Sequence, residues 1–195
     1  MKRHLTLSLL TAIIMLASCK KDSSSNTNGT GIQGTYKLKY LTANTNSTTT
    51  GSAGDKTVTT SDYTTINNQG TIVFGSSNLT STGLAYKVDT LAYYSLYQDN
   101  QLIDSSSYPF TFTLPASNSV ATYKLVGADS IYFPQGSLAS GMGATQSGPS
   151  GGRYTLNGNL LTINQAGSKD STFQDSGETY HMTESVVASI VMEKQ

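Results

Sequence analysis

Residues 153–163 read Arg-Tyr-Thr-Leu-Asn-Gly-Asn-Leu-Leu-Thr-Ile, and they carry the clearest structural signal in the chain. Two short runs of Tyr, Thr, Leu and Ile, residue types that suit the pleated surface of a strand, flank the dipeptide Asn157-Gly158. An Asn-Gly pair tolerates the positive φ angles of a type I′ turn, and the twist of that turn matches two antiparallel strands. The stretch therefore predicts a β-hairpin.

Alternation of apolar and polar residues predicts further strands on both sides of this hairpin. Within residues 34–40, Tyr36, Leu38 and Tyr40 alternate with polar residues, so we expect these three side chains on one buried face. Residues 186–192 are nearly all apolar, which is typical of a closing strand with both sides partly covered. Further strands are predicted at residues 57–66, 71–74, 84–97, 101–106, 110–114, 123–126, 131–133, 172–174 and 179–183.

Turn and loop segments separate these strands. Asp99-Asn100 has the composition of a two-residue hairpin, while residues 67–70 and 175–177 carry the Asn, Asp and Gly of tight turns. Residues 42–56 are polar without alternation and are interpreted as a loop. Residues 136–152, rich in Gly and Ser, are interpreted as a surface excursion, with a mobile lid over a cavity mouth as the alternative.

The composition of the chain indicates an all-β protein. The 195 residues include 12 tyrosines and no tryptophan, Ser and Thr are abundant, and no apolar stripe with helical spacing follows residue 19. Many short strands with local connections predict an antiparallel up-and-down β-barrel, with a β-sandwich as the alternative. Charged residues make up 12% and the formal net charge is zero, so the charge pattern indicates no nucleic-acid partner.

The first 19 residues have the organisation of a signal peptide. Residues 1–4 (Met-Lys-Arg-His) are basic, residues 5–16 are apolar, and Ala17-Ser18 places small residues before Cys19. The apolar run is shorter than the ~20 residues that a membrane-spanning helix needs. Cys19 is the only cysteine of the chain. We therefore predict that residues 1–18 are a signal peptide and that the domain folds without a disulfide.

A polar segment follows the predicted cleavage point. Residues 20–33 are rich in Ser, Asn and Gly and show no periodicity. A segment of this composition buries too little apolar surface to fold. Residues 19–33 are therefore predicted to be a disordered tether, and residues 34–195 the folded domain.

Several of these motifs together resemble the lipocalin-like lipoproteins of Bacteroidota. The resemblance rests on a lipobox at residues 16–19, the polar tether, Gly34-Thr35-Tyr36-Lys37-Leu38, residues 154–163 and the final apolar strand. It covers roughly residues 34–194. Tyr36 stands at the position where the Gly-x-Trp signature of lipocalins has its tryptophan.

The resemblance implies how the protein is processed and where it is held. In such lipoproteins the chain is cut between the positions of Ser18 and Cys19, and acyl chains such as palmitate are attached at the cysteine. The implied partner is a membrane, with the protein anchored to the outer membrane and facing the periplasm or the cell surface. The segment Lys20-Lys21-Asp22 resembles a signal for surface export. The implied fold is an antiparallel calyx able to hold one small apolar ligand.

Residues needed for catalysis are scarce in the predicted mature chain. His181 is its only histidine, and no Gly-x-Ser-x-Gly motif accompanies the many serines, so an exposed strand position is the ordinary expectation for this histidine. On a strand, Glu178 and His181 lie three positions apart and point to opposite faces. Asp170 and Asp175 do not follow the oxygen-ligand spacing of an EF-hand. We therefore predict no enzymatic activity, no cofactor and no metal site.

Two functions remain open on the sequence. The first is non-catalytic binding of a small apolar ligand in a barrel cavity. The second is a structural or interaction role in a cell-surface protein or glycan-handling complex, with the barrel filled by its own side chains. The first function predicts a cavity lined by Tyr36, Leu38, Tyr40, Phe110, Phe112 and Leu114.

Overall fold

The computed structural model describes residues 31–52, 54–134, 149–175 and 177–195, and these ranges contain ten β-strands and no helix. The strands are β1 (Gly34–Gly51), β2 (Lys56–Thr64), β3 (Ile66–Phe74), β4 (Asn78–Gln98), β5 (Gln101–Thr122), β6 (Lys124–Val126), β7 (Ser130–Phe133), β8 (Ser150–Asn157), β9 (Leu160–Asp175) and β10 (Glu178–Lys194). The prediction of an all-β, antiparallel fold is confirmed.

The strands form one sheet with the order β5, β4, β2 with β3, β1, β10, β9, β8, β7 and β6. β2 and β3 are two halves of one strand, because both pair with β1 on one side and with β4 on the other. β5 and β6 are separated by a single residue, Tyr123. Counted in this way, eight strands follow an up-and-down order, and β1 pairs with β10.

Tyr123 joins the two ends of this order. Its backbone amide donates to the carbonyl oxygen of Ser77, just before β4. The next residue, Lys124, pairs with Tyr132 of β7. The chain therefore changes its partner from β4 to β7 within one residue, and the sheet curls into a partial ring, which we call the strand ring.

Apolar side chains fill the inside of the strand ring. Cross-strand partners share one face of a sheet, so Ile163 meets Ile190 and Leu161 meets Met192 on the inner face. Burying a side chain of this size contributes roughly 1.5–3 kcal/mol, so this cluster is the main source of stability. The largest fully buried side chains are those of Tyr36, Tyr123, Phe74, Phe133, Ile32, Ile72, Leu79, Leu84, Ile131, Leu161, Ile163 and Ile190.

Six strands continue past the strand ring as long hairpins. In this extension β1 pairs with β2, β4 with β5, and β9 with β10. Most residues there are exposed or half-buried on both faces, and residues 101–113 of β5 are all exposed. The extension is therefore a sheet with solvent on both sides, and its many Thr and Ser residues suit that setting.

The interpretation of residues 42–56 as a loop is wrong. Residues 42–50 continue β1, pairing with β10 on one side and with β2 on the other, and a short turn leads to Lys56. The segment lacks apolar alternation because both of its faces meet solvent in the extension. Its β-branched threonines favour a strand, and this preference is the signal that alternation misses.

An irregularity in β1 alters one predicted face. A register shift between Leu38 and Tyr40 places Tyr40 opposite Val191. Tyr40 is consequently 40% exposed, whereas the next residue, Leu41, is only 4% exposed. The expectation that Tyr36, Leu38 and Tyr40 share a buried face is therefore wrong for Tyr40, because one extra residue in a strand moves every later side chain to the opposite face.

Residues 67–70, predicted as a tight turn, do not reverse the chain. Asn67 and Gly70 have positive φ angles of 54° and 98°, as turn residues do, yet β2 before them and β3 after them pair antiparallel to the same strand, β1. The segment is a bulge in one continuous strand. A Cβ atom on Gly70 would lie 2.6 Å from the Cα atom of Leu84, so the close approach of β4 requires glycine here.

Two predicted hairpins are present, and one of them is shifted. Asp99 and Asn100 connect β4 to β5 with φ angles of 49° and 62°, as a type I′ turn requires. Between β8 and β9, Asn157 pairs with Leu160, so the loop lies one residue later than predicted, at Gly158–Asn159. The inward packing of the flanking strands fixes the register and thereby selects the two residues of the turn.

The folded domain begins earlier than the predicted boundary at Gly34. Ile32, which the prediction assigned to the tether, is fully buried and belongs to the core. Four predicted segments lie wholly or mostly outside the described residues: the signal peptide 1–18, the lipid attachment site Cys19, residues 20–30 of the tether and residues 136–148 of the Gly-rich run.

Candidate binding sites

Aromatic side chains pack together inside the strand ring, at the end where β1 begins and β3 ends. Phe74 lies between Tyr36 and Tyr123, with ring centroids 5.6 and 5.5 Å apart and interplanar angles of 85° and 81°. The Tyr123 hydroxyl also donates a hydrogen bond to the carbonyl oxygen of Gly75 at 2.5 Å. Such edge-to-face contacts contribute ~0.5–1.5 kcal/mol beyond the burial of the rings. Protein side chains therefore fill this end of the strand ring, where Tyr36 was expected to line a ligand cavity.

The residues predicted to line a cavity do not surround one. Tyr36 and Leu38 are part of the packed core. Phe110 and Phe112 lie on β5 and are 38% and 41% exposed, and the ring of Phe112 lies 6.3 Å from that of the core residue Tyr86. Leu114 packs against the margin of the core. These side chains are distributed between a filled interior and an exposed strand.

The side chain of Gln165, inside the strand ring, has no hydrogen-bond partner among the described residues. Gln165 is 7% exposed and lies opposite Ala188 of β10 and Gly152 of β8. Both its amide nitrogen and its carbonyl oxygen lack a partner, as does the buried hydroxyl of Ser150. Because unpaired buried amides are costly, Gln165 is the interior group best suited to meet a polar atom of a bound molecule.

A groove of about 640 Å³ lies on the outer face of the sheet. It coincides with a gap in the strand ladder between β4 and the interrupted strand β2–β3. Pairing stops at Ser61 with Ala92 and resumes at Ile66 with Lys87 in an unchanged register. The two strands therefore separate for four residues and then rejoin without slipping, which opens the groove.

The exposed side chain of Val187 lies in this outer groove together with short polar side chains, namely those of Thr42, Asn44, Asp62, Thr64, Asp89 and Asn164. The Thr90 hydroxyl bridges the gap by donating to the backbone carbonyl of Asp62 at 2.8 Å. The Asn44 amide donates to the Asp62 carboxylate at 2.6 Å, and Lys87 forms an ion pair with Asp89 at 2.7 Å. Each carboxylate therefore has a local partner, and the lining found among the described residues includes no Lys, Arg or His.

Exposed tyrosines stand beyond both ends of the outer groove. Tyr40 precedes Thr42 by two residues on the same face of β1 and is 40% exposed. Tyr93, near the opposite end, is 54% exposed. It lies in the same cross-strand row as Asn46 of β1, because Thr60 pairs with both residues. From Tyr40 to Asn46, β1 rises ~20 Å. The two tyrosines therefore bracket a polar surface several rows long.

The residues considered for catalysis and metal binding lie on the sheet extension. His181 is exposed on β10 and pairs with Thr172 and Thr50, which confirms its predicted strand position. Glu178 accepts a hydrogen bond from the Tyr180 hydroxyl at 3.0 Å. In the part of the chain that the structure describes, no group of three His, Cys, Asp or Glu side chains is arranged to hold a metal ion.

No family model, no curated protein and no solved structure matches this chain. Among the described residues, no helix has the length and apolar character needed to cross a membrane. Function is therefore inferred from the chemistry of the strand ring, the outer groove and the sequence motifs.

Sequence reasoning missed the outer groove. Thr42 and Asn44 belong to the segment interpreted as a loop, and Asp62 and Asp89 are distant from them in the chain. The groove exists only where a gap in the ladder brings these strands side by side, so no local motif marks it. The one local signal is a run of short polar side chains at outward positions of β1 and β2.

Proposed function

We propose that this protein is a non-catalytic, lipid-anchored lipoprotein of the bacterial outer membrane that acts as a structural or interaction component of a cell-surface complex. In this proposal the lipocalin-like domain has a filled interior and binds partners through its outer surfaces. The packing of Tyr36, Phe74 and Tyr123 supports it, because side chains already occupy the space that an interior ligand would need.

The anchor in this proposal is Cys19. Each methylene buried in a bilayer contributes ~0.8 kcal/mol, and one acyl chain alone binds a membrane only reversibly. Two or three chains on Cys19 hold the protein durably, and the polar residues 20–30 keep the domain clear of the headgroups. The resemblance of the lipobox and tether to lipoproteins of Bacteroidota supports the outer membrane as the location.

A second function, the binding of a small apolar ligand inside the domain, is favoured by Gln165. Its buried amide lacks a partner within the described ranges and lies on the inner face beside Ala188. A mostly apolar ligand with one polar group would satisfy that amide while it packs against the inner wall.

Native mass spectrometry of the full-length lipoprotein, extracted in mild detergent from a bacterium that processes lipoproteins, tests the filled interior. We expect the mass of the mature acylated chain and of no additional molecule. A stoichiometric bound molecule that the Gln165→Leu variant loses would overturn the filled interior and support the second function. A chain that still carries residues 1–18 would contradict the anchor.

The interaction role is tested in intact cells of the producing bacterium. A photo-crosslinking amino acid in place of Phe110, on the exposed strand β5, is expected to form a discrete adduct. Val126, which is 57% exposed on β6, is the control position. Equal labelling at the two positions, or no adduct at Phe110, would contradict a specific partner on the extension.

A further inference from the structure

We propose that the outer groove binds a neutral oligosaccharide, with its polar lining meeting the hydroxyl groups and with Tyr40 and Tyr93 stacking on sugar rings at its two ends. This inference deepens the proposed function. It rests on the part of that proposal in which the interior is filled and partners bind at the outer surfaces. It requires neither the lipid anchor nor an interior ligand, so the two proposals fail in different experiments.

The size of the outer groove suits a ligand rather than a single ion. Its volume of about 640 Å³ lies within the ~300–1,000 Å³ typical of small-molecule sites. The groove forms at the gap in strand pairing between residues 61 and 66. The strands on both sides of this gap are paired, so its position in the sheet is fixed. The groove is therefore a built feature of the fold and not a loose loop surface.

The lining of the outer groove matches a ligand that donates and accepts hydrogen bonds at many positions. The amides of Asn44 and Asn164 supply both donors and acceptors, the hydroxyls of Thr42 and Thr64 do either, and the Asp62 carboxylate accepts. Linked sugar rings present hydroxyl groups with this dual character along their whole length. An apolar ligand would leave these groups unpaired.

The charges at the outer groove disfavour ionic ligands. An anion or a nucleic-acid backbone needs a positively charged track, whereas Asp62 and Asp89 line this groove, and Lys87 next to it is paired with Asp89. A cation is disfavoured because Lys87 already pairs with Asp89 and the Asn44 amide with Asp62. The groove therefore suits an uncharged molecule with many hydroxyl groups.

The exposed tyrosines supply the apolar part of the recognition. Tyr40 and Tyr93 share the outer face with the groove, and each presents a rigid ring with a polar tip to solvent. Asn46 lies in the same cross-strand row as Tyr93, and β1 rises ~20 Å from Tyr40 to Asn46. Several linked sugar rings span this length. An oligosaccharide therefore fits better than a single sugar.

Isothermal titration calorimetry on the full-length lipoprotein in detergent micelles tests this site. The probes are the neutral hexasaccharides of cellulose, starch and mannan, with polygalacturonate and oligolysine as charged comparisons. We expect at least one neutral hexasaccharide to bind, and its affinity to fall about tenfold or more in Tyr93→Ala and in Asn44→Ala. Tyr132→Ala, which removes an exposed tyrosine from β7 outside the groove, should leave the affinity unchanged.

Three outcomes would overturn the proposal: no binding of any neutral hexasaccharide at millimolar concentration, tighter binding of either charged polymer, or equal affinity in Tyr93→Ala and Tyr132→Ala. Circular dichroism and thermal unfolding of each variant establish that the fold is retained. If one groove variant does not fold, the other still decides the outcome. The native mass and the Phe110 adduct do not depend on sugar binding, so a negative result here leaves the proposed function intact.

Discussion

The hydroxyl of Tyr36 donates a hydrogen bond to the carbonyl oxygen of Ile32 at 3.0 Å, and both residues are fully buried. This contact fastens the residues before β1 to the strand ring. The ring of Tyr36 meanwhile contacts Phe74 edge to face. One side chain thus provides both an apolar contact in the core and a polar contact with the incoming chain.

Replacing Tyr36 by Phe should lower the free energy of unfolding by about 1–3 kcal/mol, because the Ile32 carbonyl loses its donor while the aromatic packing is kept. Urea denaturation followed by circular dichroism measures the change. Tyr40→Phe is the matched control, since Tyr40 is 40% exposed and should change stability by less than ~0.5 kcal/mol. Equal losses in the two variants would contradict a structural role for this hydrogen bond.

Two adjacent glycines of β8 should respond differently to substitution. A Cβ atom on Gly152 would lie 2.4 Å from the carbonyl oxygen of Asn164, whereas on Gly151 it would lie 3.5 Å from that of Ile131, an ordinary contact. Gly152→Ala should therefore cost about 1–3 kcal/mol through overpacking. Thermal unfolding compares the two variants, and a Gly151→Ala loss as large as that of Gly152→Ala would refute the steric explanation.

The domain should lose stability in alkaline solution through its buried tyrosines. Burial, together with the neighbouring Tyr63, raises the pKa of Tyr86 from its ordinary value of 10.0 to about 12. A raised pKa means that the neutral phenol is favoured in the folded state, so its contribution is complete below pH 10 and is lost as the pH rises toward about 12. Burial also raises the pKa of Tyr36, Tyr63 and Tyr123.

Unfolding free energies measured between neutral pH and pH 12 should consequently fall less steeply above pH 10 in Tyr86→Phe than in the unaltered protein. Tyr93→Phe, at an exposed position, serves as the control and should leave the steepness unchanged. If the unfolding free energy falls equally steeply above pH 10 in Tyr86→Phe and in the unaltered protein, Tyr86 does not contribute to the loss of stability in alkaline solution.

Gln165→Met should stabilise the protein by about 1–3 kcal/mol, because a side chain of similar volume replaces a buried amide that has no partner in the described chain. Gln174→Met on the exposed end of β9 is the matched control and should be nearly neutral. A loss of stability in Gln165→Met would mean that the amide finds a hydrogen-bond partner in solution, and would contradict the expected cost of this buried group.

Cys19→Ala should abolish membrane attachment if the lipid is carried by this residue. In a bacterium that processes lipoproteins, the variant is expected in the aqueous phase of a detergent phase separation, and the unaltered protein in the detergent phase. Ser18→Ala keeps a small residue before the cleavage point and should behave like the unaltered protein. Retention of Cys19→Ala in the detergent phase would disprove the anchor.

Strands that carry a pattern of apolar residues were predictable, whereas irregular segments and strands of mainly polar residues were not. Residues 110–114 and 186–192 lie in β5 and β10, as their patterns predict. Residues 42–50 were missed because they are almost all polar and carry no apolar alternation. The exposure of Tyr40 was missed because a register shift depends on the partner strand β10. The candidate groove was missed for the same reason, since it arises between strands.

By itself, the sequence determined that this chain forms antiparallel strands and that it turns at Asp99-Asn100 and next to Gly158, because backbone preference and side-chain alternation are properties of neighbouring residues. Only the tertiary structure decided that side chains fill the interior, that Tyr40 faces outward and that Asn44 lies beside Asp62. These features depend on the register and separation of strands far apart in the chain, and no local pattern encodes either quantity.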